Sequence, residues 1–74
     1  MLLSQLQKGD SAEIVSINAE ATLRNRLNSL GIMRGEELFV KGCSLAKQTM
    51  EIDIEHTSIA LRRSEADKIE IKKI

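Results

Sequence analysis

A small, mainly β domain is predicted, with about five short strands curled into a barrel and one helix inserted between the first two. Three observations carry that expectation. Met50, Ile52, Ile54 and His56 alternate with Glu51, Asp53 and Glu55, the period of a strand with one face in a core and the other in solvent. Ala19, Leu23, Leu27 and Leu30 lie four, four and three residues apart and so share one helical face. The stretch Arg26-Leu27-Asn28-Ser29-Leu30-Gly31-Ile32-Met33-Arg34-Gly35 then reads as a last helical turn, a glycine stop and a second glycine that turns the chain into a strand.

Taken in order, Leu3 and Leu6 form an apolar turn that closes one end of the fold, and Lys8-Gly9-Asp10 is a turn. Ala12 to Ile17 is a first strand, rich in β-branched residues and expected to be buried on much of both faces. Asn18 is the expected N-cap of the helix, with Glu20 near its positive end. Gly31 takes the left-handed position after Leu30, and Ile32 folds back onto Leu27. Gly35 opens a second strand, residues 36–41, with Leu38 and Val40 on one face. Ile59 and Leu61 alternate in a fourth strand; Ser64 caps a short helix with Asp67 reaching back, and Ile69 and Ile71 make the last strand. Closing such a sheet removes edges that a short chain has little else to cover, which favours a small SH3-like barrel over an open α+β sheet.

The 74 residues make a single domain. Eleven basic and eleven acidic residues cancel, so electrostatic capture of nucleic acid or of an anionic membrane lacks its basic excess. Phe39 is the only aromatic residue, which removes base-stacking platforms and the aromatic wall of a polyproline groove. The apolar runs are too short to insert in a membrane, and the N-terminus does not read as a secretory signal, so a cytoplasmic location is expected.

Chemistry finds little purchase. Cys43 is the single cysteine and His56 the single histidine, so no cysteine-based zinc cluster can form. Glu51, Asp53 and Glu55 repeat along one strand face at about 7 Å, too wide for neighbours to share an ion, and read as a solvated face. A Cys43–His56 nucleophile and base pair is conceivable but lacks room for a substrate pocket. No catalytic residue, metal site or cofactor is therefore expected. Arg24, Arg26, Arg34, Arg62 and Arg63 read as a solvated face with ion pairs sooner than as a basic patch. Leu45, apolar in a loop, either contacts a partner or folds over the barrel mouth.

The ordered set Leu3, Leu6 and Gly9; Ala12-Glu13-Ile14 with Ile17; Arg26 to Ile32 followed by Gly35; and Ile59-Ala60-Leu61-Arg62 with Ala66 and Ile69 resembles the FeoA family over nearly the whole chain. It departs at Arg34, where the family commonly has proline, and in residues 44–48, where the family commonly has proline and glycine. The resemblance implies an SH3-like fold without enzymatic activity and a regulatory or assembly role at the cytosolic GTP-binding portion of the ferrous iron transporter FeoB. On that footing Leu30, Met33 and Arg34 at the helix exit and Leu45 and Lys47 in the loop are the expected partner contacts, with Gly31 and Gly35 as structural turns. Arg26 either joins the helix exit or caps helix carbonyls. The alternatives are a small barrel that binds nucleic acid and a metal-responsive module like the C-terminal domain of iron-dependent repressors, and strand edges leave self-pairing open.

Overall fold

The computed structural model describes residues 1–44, 46 and 48–74. A 3₁₀ turn (Leu3–Gln5) is followed by β1 (Ser11–Ile17), α1 (Ala21–Ser29), β2 (Glu37–Cys43), β3 (Thr49–Ile54), β4 (Thr57–Arg62), α2 (Arg63–Ala66) and β5 (Ile69–Lys73). The strands form one antiparallel sheet in the order β4-β3-β2-β1-β5. The single turn of α2 bridges the two ends of that ladder. The edge of β5 is covered in part by the N-terminus, where the Ile71 amide donates to the Met1 carbonyl (2.7 Å) and Leu2 bridges Glu70.

Two register shifts bend the sheet. One lies between Ile14 and Ser16 of β1 against β5, the other between Val40 and Gly42 of β2 against β3. An extra residue on one strand raises local twist and bends it, so five short strands can wrap a single core. Every strand supplies alternate residues to that core: Ala12 and Ile14, Leu38 and Val40, Met50, Ile52 and Ile54, Ile59 and Leu61, and Ile69 and Ile71. Leu3, Leu6 and Ala66 join from the 3₁₀ turn and α2, and Leu27 and Ile32 from the helix exit.

The mainly β class with one inserted helix is as the sequence predicts, and several local details differ. Only one face of β1 is buried: Val15, at the bulge, is 42% exposed. Asn18 does not cap α1. Its amide donates to the Lys68 carbonyl (2.7 Å), extending the β1–β5 ladder, and the helix starts later with Glu20 as a cap that makes no side-chain bond. The β3 alternation stops at Ile54; Glu55 takes a φ of +56° and forms with His56 the two-residue turn that pairs Ile54 with Thr57. α2 begins at Arg63, so the carboxylate that reaches back is Glu65, whose Oε1 accepts the Arg62 amide at 3.0 Å. Asp67 instead accepts the Ser4 hydroxyl.

The helix stop follows the expected geometry. The Ile32 amide donates to the Leu27 carbonyl and the Gly31 amide to the Asn28 carbonyl, each at 3.0 Å, with Gly31 at φ +92°. This is the paired bonding of a Schellman stop, and its apolar partners Leu27 and Ile32 are both fully buried. Leu30, expected on the buried stripe, is 39% exposed, because α1 meets the core along a narrow line at Leu27 and the chain reverses just past Leu30. Nothing beyond the chain neighbours lies within 4 Å of where a Cβ on Gly31 would sit, so a substitution there is charged for backbone strain alone. Gly31→Val is expected to cost about 2 kcal/mol and Gly31→Asn about half of that. Thermal melting checks this: the Val variant should melt roughly 8–16 °C below the native chain. Equal melting of the two variants would remove strain as the cause.

Candidate partner-binding surface

The surface is built by the turn that follows the helix stop. The Glu36 amide donates to the Met33 carbonyl (3.1 Å), closing a turn with Arg34 and Gly35 at its centre. Gly35 sits at φ +92°, the positive φ that a type II turn requires at its third residue. The Gly35 amide donates to the Ile14 carbonyl (2.8 Å) and the Ile14 amide to the Glu36 carbonyl (2.9 Å). Residues 33–36 are thereby laced to β1. Met33 is held 44% exposed beside Leu30, an apolar ridge on a rigid support.

A shallow groove lies on each side of Met33. The first, about 390 Å³, runs between α1 and β1 and is lined by Ser16, Ile17, Arg24, Asn28, Met33 and Arg34. The second lies between the helix exit and the β3–β4 turn and is lined by Leu30, Met33, Glu36, Ile54, Glu55 and Thr57 together with Gly31. One flank is thus cationic and the other anionic. None of Arg24, Arg34, Glu36 and Glu55 pairs with a described residue of opposite charge.

Some of the charges elsewhere are matched within the chain. On the outer sheet face Lys41 Nζ lies 3.4 Å from Glu51 and 4.0 Å from Asp53, and the Ser58 hydroxyl donates to Asp53 at 2.6 Å. Lys73 lies 3.4 Å from Asp10. Arg26 does not cap helix carbonyls; its guanidinium pairs with Glu65, a carboxylate only 8% exposed. Burial pushes the Glu65 carboxyl up, but the Arg62 amide and the Arg26 guanidinium outweigh it and hold the group below its ordinary value.

Of the residues expected from sequence, Leu30, Met33 and Arg34 meet on this surface, whereas Leu45 and Lys47 lie outside the described residues. The five arginines do not gather. Arg24 and Arg34 share the first groove, Arg26 is paired, and Arg62 and Arg63 line a separate depression beside Gln48. Cys43 pairs with Met50 at the start of β3 and His56 follows its end, so the two are not brought together. Among the described residues, no three of His, Cys, Asp and Glu gather closely enough to hold a metal ion. Sequence reasoning missed Arg24, Asn28, Glu36 and Glu55. The available signal was the four-residue spacing of Arg24 and Asn28, which puts them on one helical face running toward the exit.

A family model, the FeoA domain, matches residues 1–73. A Campylobacter jejuni relative named Fe(2+) transport protein A is 35% identical over 74 residues, all of both chains. A Porphyromonas gingivalis relative, an Fe(2+) transport protein A/FeoB fusion protein, is 32% identical over 74 residues, which are 9% of its length. The solution structure of a FeoA protein from Chlorobium tepidum has a TM-score of 0.92 at 35% identity, covering all of this chain and 70% of that one. Zinc-complexed FeoA from Stenotrophomonas maltophilia, described as an SH3 domain protein, gives a TM-score of 0.84 at 29% identity over 97% of this chain and 89% of that one. A manganese-dependent transcriptional repressor matches with a TM-score of 0.89 at 19% identity, covering 99% of this chain and 40% of that one, a likeness of fold alone. Sequence, fold and relatives agree: the chain belongs to the FeoA family, with its SH3-like domain.

Proposed function

We propose that this protein is a non-enzymatic, cytosolic accessory of ferrous iron transport. It docks through its helix exit on the cytosolic GTP-binding portion of a FeoB-type transporter and regulates or assembles it. The observation that carries this reading is the Leu30–Met33 ridge. Two large apolar side chains stand exposed on a helix stop and a turn that Gly35 and Glu36 tie to β1, where they contribute nothing to the core. The Porphyromonas gingivalis relative supports the choice of partner, since there the two proteins are one polypeptide.

Met33→Glu is expected to weaken binding to that cytosolic portion roughly tenfold or more, the loss typical of a central apolar anchor, with no change in melting temperature. Titration calorimetry measures the first and thermal melting the second. GTP turnover by the partner, followed with and without the native chain, reads the consequence of docking. Native-like binding by both Met33→Glu and Leu30→Glu would place the contact elsewhere.

A further inference from the structure

We propose that the free edge of β4 pairs with the β4 edge of a second copy, antiparallel, about a two-fold axis at Ile59. The inference is independent of the docking reading above. Main-chain geometry defines the edge. The two-residue turn closes on the Ile54–Thr57 pair, and at the other end of the ladder the Arg63 amide donates to the Gln48 carbonyl at 2.9 Å. Hydrogen-bonded pairs alternate along an antiparallel ladder. Thr57, Ile59 and Leu61 therefore exchange bonds with β3, while Ser58, Ala60 and Arg62 turn their main-chain groups outward. The Arg62 amide is taken by Glu65 Oε1. Among the described residues, none bonds to the main chain of Ser58 or Ala60.

The two edges of the sheet differ in their protection. β5 is overlaid by Met1 and Leu2 and ends in Lys72 and Lys73. β4 has none of the devices that keep an edge from pairing. It carries no charge or proline from Thr57 to Leu61, it runs through six consecutive pairs with β3 without a bulge, and Ser58 and Ala60 are exposed. The ends of the strand favour a second copy as its occupant. With Ile59 facing its own equivalent, Ser58 meets Ala60 of the second copy, and each such pair exchanges amide–carbonyl bonds in both directions. A register centred on Ala60 would call on the Arg62 amide, which Glu65 already holds. Centred on Ile59, the turn residues Glu55 and His56 lie opposite Arg63 and Arg62 of the second copy. The Glu55 carboxylate then stands against two guanidinium groups, and symmetry repeats the contact at the other end. A parallel pairing would set the arginines of the two copies side by side. So short an edge covers less than the about 800 Å² that each partner of a stable interface buries, so the dimer is weak and forms at high concentration.

The test follows the native chain alone from micromolar to millimolar concentration, by sedimentation and by amide NMR. Sedimentation should move from monomer to dimer. The Ser58 and Ala60 amides should shift and gain exchange protection as it does, while those of Lys72 and Lys73 stay as they are. Ala60→Pro removes an outward amide and leaves the β3 ladder whole, so it should abolish the dimer with little change in melting temperature. Arg63→Glu and Glu55→Lys should each weaken association roughly fivefold at low salt, and the two together in one chain should restore it. A native chain that stays monomeric, with unmoved Ser58 and Ala60 amides, overturns the inference. So does a dimer that neither Ala60→Pro nor the single charge changes weaken. A dimer lost in Ala60→Pro but not restored by the double exchange rejects the Ile59 register. If the two amides gain protection only when the cytosolic portion of a FeoB-type transporter is added, the edge belongs to that partner and a second copy is the wrong occupant.

Discussion

Leu27→Ala is expected to cost about 3 kcal/mol and to free α1 from the sheet before the rest of the domain unfolds. Leu27 is the one residue of α1 that is fully buried, with Leu23 only partly covered. Truncating a buried leucine removes its transfer energy and leaves a cavity, together about 2–5 kcal/mol. A small domain has on the order of 5 kcal/mol in total, so the change takes most of the reserve. The loss should also be uneven. With Leu27 shortened, α1 keeps the partly covered Leu23, the Arg26–Glu65 pair and its stop motif. Urea denaturation gives the overall cost, and hydrogen exchange locates it. The amides of Leu30, Gly31 and Ile32, which close the helix exit, should lose protection first. Ile52→Ala, in β3 and equally buried, should cost as much while lowering protection throughout the sheet. Uniform exchange in both variants would mean that α1 and the sheet open as one unit. Because Leu27 sets where Leu30 and Met33 stand, its loss should also weaken docking, although Leu27 itself faces the core.

The parts of this structure legible in the sequence obey short-range rules. The β3 alternation is read from one strand alone. The stop at Gly31 requires only residues 27–32, and all of its expected bonds are present. The parts that were not legible are those in which a distant element outbid a local one. Asn18 is a good cap by type, but its amide is taken by the Lys68 carbonyl at the far end of the chain. Val15 is β-branched and reads as buried, yet the bulge against β5 leaves it in solvent. Ser64 and Asp67 match a capping pattern, while the Arg62 amide and the partly buried Arg26 pair select Glu65. The same division runs through the candidate surface. Leu30, Met33 and Arg34 follow one local turn and could be named in advance. The charged flanks depend on α1, the turn before β2 and the β3–β4 turn meeting around Met33, which no single stretch of sequence records.

Among the described residues Glu65 is the one buried charged residue, and replacing it should give the second large effect. Its Oε1 caps α2 through the Arg62 amide, and its other oxygen takes the Arg26 guanidinium of α1, so one carboxylate ties both helices together. Glu65→Ala removes the cap and the charged hydrogen bond at once and is expected to cost about 2–3 kcal/mol at neutral pH. Glu65→Gln keeps an acceptor for the amide and should cost about 1 kcal/mol. Arg26 is 58% exposed, so Arg26→Met should cost less than either, about 0.5 kcal/mol, since water screens its side of the pair. The pH dependence follows in sign. The folded-state carboxyl lies below its ordinary value of 4.5, so the stabilisation it supplies is complete above that pH and is lost as pH falls through the folded value. The native chain should therefore melt well above Glu65→Gln at neutral pH, and the gap should narrow as the pH is lowered past 4.5. Melting curves of the two proteins from pH 7 to about pH 3 test this directly. Parallel profiles would show that the carboxylate contributes shape alone, and that α1 is held to α2 by packing without its charge.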